Sequence, residues 1–201
     1  MARLSPFLTT NDFLSKPFYH EEFYCRIMQN LESQEMIQTI RDSANLDALT
    51  KVYNRRYLYE YGEEIFSLGQ PKAHVTASMI DMDNFKKVND TLGHKTGDVL
   101  LQEFAALLSE HFPEDLIVRY GGEEFSVVSI RPPKTYLAAL SGFMDAVRTT
   151  KFTQHKFNMT CSIGVCAEKH TCLETQLEVA DARLYHAKHA GKNQIITRDE
   201  T

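Results

Sequence analysis

The sequence predicts an α+β domain preceded by a helical stalk, and three observations carry that reading. Gly121-Gly122 stands between two apolar runs, 116–120 and 125–130, which is a hairpin signal. Phe157, Met159, Cys161, Ile163 and Val165 alternate on one face of a segment spanning 157–167, the period of a half-buried strand. Segments with helical spacing lie on either side of these strands, so helices surround a sheet that contains a hairpin.

Residues 1–45 differ from the rest of the chain. Asn11-Asp12-Phe13-Leu14 reads as a short strand stopped by Lys16-Pro17. Phe18, Phe23, Ile27 and Leu31 then fall at helical spacing, and Met36, Ile37, Ile40 and Ala44 form a second stripe. The stripe slips between 31 and 36, which argues against a clean coiled coil. Residues 54–67 read as a helix. Residues 75–81 read as a strand with Val75, Ala77, Met79 and Asp81 on one face. Two helices, 85–92 and 97–111, are broken at Gly93, and 136–150 is helical. A last helix over 176–190 closes at Gly191, a glycine of the kind that ends helices, and 194–197 is a short final strand.

Composition narrows the function. The 201 residues are 43% hydrophobic and 24% charged, a globular balance that excludes disorder and low complexity. The net charge of −5 disfavours sequence-blind nucleic-acid binding, so a polyanionic ligand needs local lysines or a metal. The four cysteines, at 25, 161, 166 and 172, form no C-x-x-C pair and match no zinc spacing, which points to buried free thiols in a reducing cytoplasm. No apolar run approaches 18 residues and no signal peptide opens the chain, so no membrane insertion is expected. His186 and His189 share a helix face and read as solvated.

The chemistry concentrates in a few acids. Asp81 ends an apolar strand, where a carboxylate can face a cleft, and Met82 and Asp83 follow it. Asp83 and Asn84 precede a helix, so a capping role competes with a functional one. Glu123 and Glu124 sit at the tip of the glycine hairpin, where their mutual repulsion is costly unless a cation is present, though an exposed loop would tolerate it. Asp81, Glu123 and Glu124 together make an all-oxygen set suited to Mg²⁺, an ion that completes its shell with water and substrate phosphates. Lys188 and Lys192 are four apart across a helix end and can converge on one anion, or simply complement the helix dipole. The amides near Asn84 and Phe85 open a helix, a ready anion site.

These residues resemble a known family. Arg119-Tyr120-Gly121-Gly122-Glu123-Glu124-Phe125 is similar to the signature of GGDEF-domain diguanylate cyclases. Four further blocks resemble that family in order: Asp47-Ala48-Leu49-Thr50 with Asn54-Arg55-Arg56; the run from Asp81 to His94; Gly97-Asp98; and the closing helix with Ala180-Asp181, Leu184-Tyr185, Ala187-Lys188 and Gly191-Lys192-Asn193. The likeness covers about 45–198.

The resemblance implies a palm-like sheet related to nucleotide cyclases and polymerases, and condensation of two GTP into cyclic di-GMP with release of two pyrophosphates. It implies Mg²⁺ (or Mn²⁺) held by Asp81, Glu123, Glu124 and the Met82 carbonyl, with Glu123 as proton acceptor and Glu124 a further acid of the reaction. Asn89 and Asp98 would meet the guanine edge, His94 would lie close to the nucleotide, and Phe85, Lys86, Lys188 and Lys192 would line the phosphates. An aspartate accepting both guanine N–H groups would reject adenine. Because one domain holds one GTP, a homodimer is implied. Two departures stand out. Phe112-Pro113-Glu114-Asp115 occupies the place of the family's inhibitory R-x-x-D motif, so that site keeps Asp115 only. Lys192 stands where arginine is frequent.

Residues 11–18 and the helix after them resemble the last strand and helix of a response-regulator receiver, with Lys16 as its lysine; an upstream histidine kinase would then be a partner. The expected organisation is a receiver-like fragment at 1–31, a helical linker at 32–46 and the cyclase domain at 47–198. The alternative is a catalytically inactive domain that binds GTP or docks a protein; the retained acids argue against it, and Asp98 argues against an adenine-accepting synthase.

Overall fold

The computed structural model describes residues 20–69, 75–153 and 157–198. The strand expected at 11–14, and with it Lys16-Pro17, lies outside the described residues. The chain divides into two units, Met1–Ala44 and Asn45–Thr201.

Helix α1 runs unbroken over His20–Asn45, through the point where the apolar stripe slips. Phe23, Ile27, Leu31, Met36, Ile37 and Ile40 are all exposed on it. Cys25 is exposed as well, which corrects the expectation of buried thiols for that residue; Cys161 and Cys166 are buried and all four thiols are free.

The second unit is built on one six-stranded sheet in the order β1-β3-β4-β2-β5-β6. Its strands are β1 (Tyr53–Asn54), β2 (Thr76–Met82), β3 (Leu116–Gly121), β4 (Glu124–Ser129), β5 (Cys161–Cys166) and β6 (Ile195–Ile196). The helices are α2 (Arg55–Gly69), α3 (Phe85–Leu92), α4 (His94–His111), α5 (Pro133–Thr149) and α6 (Leu173–His189). β2 lies between β4 and β5 and is antiparallel to both. The edge strands β1 and β6 are parallel to their neighbours.

Period-2 alternation divides the core in two. Ile80, Met82, Phe125, Val127, Ile163 and Val165 pack against Leu100, Phe104, Tyr136, Leu140 and Phe143 of α4 and α5. Val75, Ala77, Met79, Val118 and Val128 pack against Leu58, Phe66, Leu177 and Leu184 of α2 and α6. Each of these large apolar side chains contributes about 2 kcal/mol of burial, so the central strands are pinned from both faces.

Several elements differ from expectation, and α5 and α6 each begin three residues earlier than 136 and 176. β5 is buried along its whole length rather than half-buried, because α6 covers its second face. Gly164 permits that approach: a Cβ there would lie 2.0 Å from the Ala180 carbonyl oxygen and 2.2 Å from the Leu184 nitrogen. α4 begins at His94 instead of 97, since Gly93, at φ +84°, makes the break alone. β1 has no signal in the sequence, since two residues are too few to show a period.

Candidate functional site

The site begins where β2 ends. The antiparallel register places Asp81 directly opposite Glu124, and the side chains of such a cross-strand pair share one face. Asp81 is buried, at 8% exposure. Lys188, near the end of α6, puts its Nζ 2.7 Å from Asp81 Oδ2 and 3.6 Å from Glu124 Oε1. Burial drives the Asp81 carboxyl up to about 6; Lys188 opposes that rise, and Glu123 and Glu124 add to it. Burial works against the Lys188 charge, but Asp81 and Glu124 outweigh it and raise its pKa.

The hairpin is held from two sides. The Glu123 carbonyl accepts from the Met82 N–H at 3.3 Å. Arg119 donates to the Gly122 carbonyl through Nε at 3.0 Å and Nη2 at 2.7 Å, while Nη1 reaches Asp47 Oδ1 at 2.9 Å. Asp47 also accepts from the Thr50 amide and hydroxyl at 2.9 and 2.7 Å. Burial pushes the Asp47 carboxyl up, and these donors more than reverse it, leaving the pKa below its ordinary value.

Asp83 is no helix cap. It accepts from Thr160 Oγ1 at 2.6 Å, Ser162 Oγ at 2.7 Å and the Asn193 amide at 3.0 Å. Asn84 stands at the N-cap of α3 in the left-handed region, φ 60°, with no side-chain capping bond. Its Oδ1 instead accepts from Lys192 Nζ at 2.8 Å. The two lysines therefore do not converge on one point: α6 ends at His189, Lys192 lies in the turn beyond it, and the pair grips the two ends of the 81–84 segment.

A second polar cluster lies between α3 and α4. The Asn89 side-chain oxygen is buried and has no partner. It occupies the space over Gly97, where a Cβ would come within 1.9 Å of it, and Phe85 closes the same corner. A buried acceptor left unbonded costs about 1–3 kcal/mol, and this oxygen has the capacity to accept a donor. Asp98, His94 and Lys86 are exposed nearby along the chain. Asp98 sits inside α4 rather than at its start, so it does not cap that helix.

A third cluster joins α2 to β3. Arg55 Nη2 donates to the Tyr59 hydroxyl at 3.0 Å, and the Tyr59 and Tyr120 hydroxyls are 2.8 Å apart. The Arg55 guanidinium lies 4.4 Å from the Tyr120 ring centre. These residues border a cavity of about 440 Å³ that reaches Glu124. Arg55 and Tyr120 each fall in a block that resembles the family, but Tyr59 has no signal of its own in the sequence.

Among the described residues, no group of three His, Cys, Asp or Glu side chains stands close enough to chelate an ion. The donor chemistry nevertheless fits a hard divalent cation. Asp81 and Glu124 are oxygen donors with Glu123 beside them, the burial of Asp81 and the repulsion among these acids hold its carboxyl up at about 6, and a cation, the Lys188 ammonium, already stands between two of them.

A family model described as "Diguanylate cyclase, GGDEF domain" matches residues 44–194. The response regulator PleD of Caulobacter vibrioides is 34% identical over 208 residues, covering 92% of this chain and 44% of PleD. Diguanylate cyclase DgcS of Shewanella oneidensis is 34% identical over 170 residues, covering 83% of this chain and 57% of DgcS. The chain thus spans about half the length of the curated relatives it matches. Among solved structures, the coiled coil and GGDEF domain of DgcB from Caulobacter crescentus in complex with c-di-GMP superposes with a TM-score of 0.78 at 23% identity, covering 89% of this chain and 98% of that one. Diguanylate cyclase SiaD of Pseudomonas aeruginosa, in complex with its activator SiaC, gives 0.73 at 30% identity, covering 88% and 71%. The α+β palm-like fold is shared with both.

Proposed function

The chain belongs to the diguanylate cyclase GGDEF-domain family, and from that premise we propose that it condenses two GTP into cyclic di-GMP. The observation that carries the reading is the Asp81–Lys188–Glu124 arrangement at the base of the signature hairpin. It gathers hard oxygen donors and a cation at one strand end, as transfer at a phosphate requires.

In this proposal each 3′-oxygen attacks the α-phosphorus of the other GTP. The 3′-hydroxyl proton passes to Glu123, and the bond to pyrophosphate breaks, twice per cyclic product. Asp81, Glu123, Glu124 and the Met82 carbonyl would hold Mg²⁺ (or Mn²⁺). When bound, that ion supplies Lewis acidity at the phosphate and lowers the pKa of the attacking hydroxyl. Lys188 leaves its carboxylate partners for a phosphate oxygen, while Lys192 and the amides of the α3 N-terminus take the rest of the triphosphate. Phe85 and Lys86, at that N-terminus, border the phosphates. Asn89 and Asp98 read the guanine edge, with His94 beside the nucleotide; the unbonded Asn89 oxygen supports this, since guanine offers the N–H donor it lacks.

Two copies must face each other for this reaction, so the working form is a homodimer. The exposed apolar residues of α1 support pairing through the stalk. We read 1–31 as receiver-like, 32–46 as linker and 47–198 as the output domain; the match to a response regulator covers 92% of the chain, more than residues 44–201 can supply, and so extends into the first unit. A histidine kinase would be the upstream partner and the cytoplasm the compartment. No helix among the described residues is long and apolar enough to cross a membrane.

Incubation of the chain with GTP and Mg²⁺, with products resolved by chromatography, tests the reading. It predicts cyclic di-GMP and pyrophosphate in a 1:2 ratio; unchanged GTP, or a cyclic mononucleotide alone, overturns it.

A further inference from the structure

We propose that Asp83 and Arg148 are positioning residues that hold the 191–193 turn so that Lys192 is presented to the polyphosphate of the substrate. This rests on the proposed use of GTP.

Three consecutive residues in that turn have positive φ: Gly191 at 111°, Lys192 at 64° and Asn193 at 50°. Asparagine tolerates this region, but lysine has no side-chain device that favours it, so Lys192 stays there only if its surroundings hold it. The Lys192 amide donates to the Ala187 carbonyl at 2.9 Å, which ties the turn to its own helix, and the contacts from other elements fall on Asn193. Asp83 accepts its amide at 3.0 Å. Arg148, in the last turn of α5, donates through Nε to Asn193 Oδ1 at 2.9 Å and through Nη2 to the Asn193 carbonyl at 3.1 Å.

The arrangement exceeds what packing of the turn requires. Asp83 is 3% exposed, and Thr160 and Ser162 also donate to it, so its carboxylate is fixed to β5 and to the segment entering it. Asp83 and Asn84 are neighbours on one turn, and Lys192 and Asn193 are neighbours on the other. Asp83 takes the Asn193 backbone while Asn84 takes the Lys192 ammonium at 2.8 Å. The backbone of the 191–193 turn is thereby clamped, whereas Lys192 Nζ is held by one neutral acceptor. An arriving phosphate is a stronger partner and can draw the ammonium away without moving the turn. Arg148 also pairs with Asp145 on its own helix at 2.9 Å, and it reaches the site through this turn.

The test is calorimetric titration of the full chain, in Mg²⁺ buffer, with the α,β-methylene analogue of GTP and separately with GMP. Arg148→Ala should weaken the analogue about tenfold and GMP by less than about twofold. Asp83→Asn should do the same, and Arg148→Lys should recover part of the loss. Lys192→Ala should match Arg148→Ala, and the double variant should be no weaker than Lys192→Ala alone, because both act on one contact. In turnover, the Arg148→Ala KM for GTP should rise with kcat nearly unchanged. Losses that add in the double variant, or that fall equally on GMP and the analogue, overturn the inference. If the wild-type chain does not prefer the analogue to GMP, the GTP reading fails, and this inference with it. If Asp83→Asn does not fold, Arg148→Ala still decides, since that side chain is 40% exposed and outside the core.

Discussion

Arg131 closes over Asp115: its Nε lies 3.2 Å from Oδ1 and its Nη2 contacts Oδ2, on a carboxylate that is 1% exposed. The remaining acid of the would-be inhibitory motif is thus already neutralised by its own chain. Phe112 beside it is wholly buried, with its ring packed on Tyr136 and Phe143.

The first prediction concerns product inhibition. Turnover should stay linear as cyclic di-GMP accumulates, because neither residue is available to a ligand. Asp115→Ala should leave that linearity intact and cost about 2–3 kcal/mol in denaturant unfolding, since it leaves Arg131 without its buried partner. Phe112→Arg should destabilise the fold and create no new site, because it forces a charge into the aromatic core. Strong inhibition of the native chain that Asp115→Ala abolishes would show that the pair opens for product.

A second prediction concerns acid stability. Arg183 is buried and donates to Val165 O at 2.7 Å and to both Glu168 oxygens at 2.8 and 2.9 Å. The Arg183 bonds come first among the causes that hold the Glu168 carboxyl down to about 2. A depressed folded pKa contributes stability that is fully present above the ordinary value near 4.5 and is lost as pH falls towards 2. Glu168 is 46% exposed, so solvent screening reduces the contribution to about 1 kcal/mol. Glu168→Gln should therefore lower the unfolding midpoint at pH 7, and the gap from wild type should close as pH approaches 2. A gap of equal size at both ends would assign the effect to packing.

The third prediction is Gly164→Ala. The atoms its Cβ meets are backbone of α6, which cannot swing aside. The helix must lift from β5 at a cost of about 3 kcal/mol, and Lys188 must move with it. Thermal melting and turnover should fall together; an unchanged melting temperature would mean that α6 slides freely over the sheet.

Much of this was legible in the sequence, and the failures have physical reasons. Asp81 and Glu124 could be named because each sits at a strand end with its own local signal, a buried apolar run or a glycine turn. Asp83 looked equally like a cap, since its partners Thr160, Ser162 and Asn193 are 77 to 110 residues away and only the folded sheet brings them near. Lys188 and Lys192 stand four apart across the end of α6, a spacing that does not reveal their separate resting partners, Asp81 and Asn84, because those lie more than 100 residues away in sequence. The Arg55–Tyr59–Tyr120 cluster crosses from α2 to β3 and has no periodic signature.

The fourth prediction concerns the stalk. Ile27 and Ile37 are exposed, so Ile27→Glu and Ile37→Glu should change chain stability by less than about 0.5 kcal/mol. They should nonetheless lower specific activity at dilute protein, because pairing of α1 raises the effective concentration of the opposing nucleotide. Rate per chain should rise with concentration and then plateau for the wild type. Activity independent of concentration, in a sample that sediments as a monomer, would remove the stalk from the account.

The central claim is that the acids at the hairpin and the β2 end perform the condensation. Its most direct measurement is cyclic di-GMP formation from GTP and Mg²⁺ by Glu123→Gln beside the wild type, with far-ultraviolet circular dichroism confirming that both are folded. Glu123→Gln keeps the shape of a half-exposed hairpin residue and removes only the charge and the proton acceptor. Turnover should drop by about 10²-fold or more with the fold intact. Turnover within a few-fold of the wild type would contradict it.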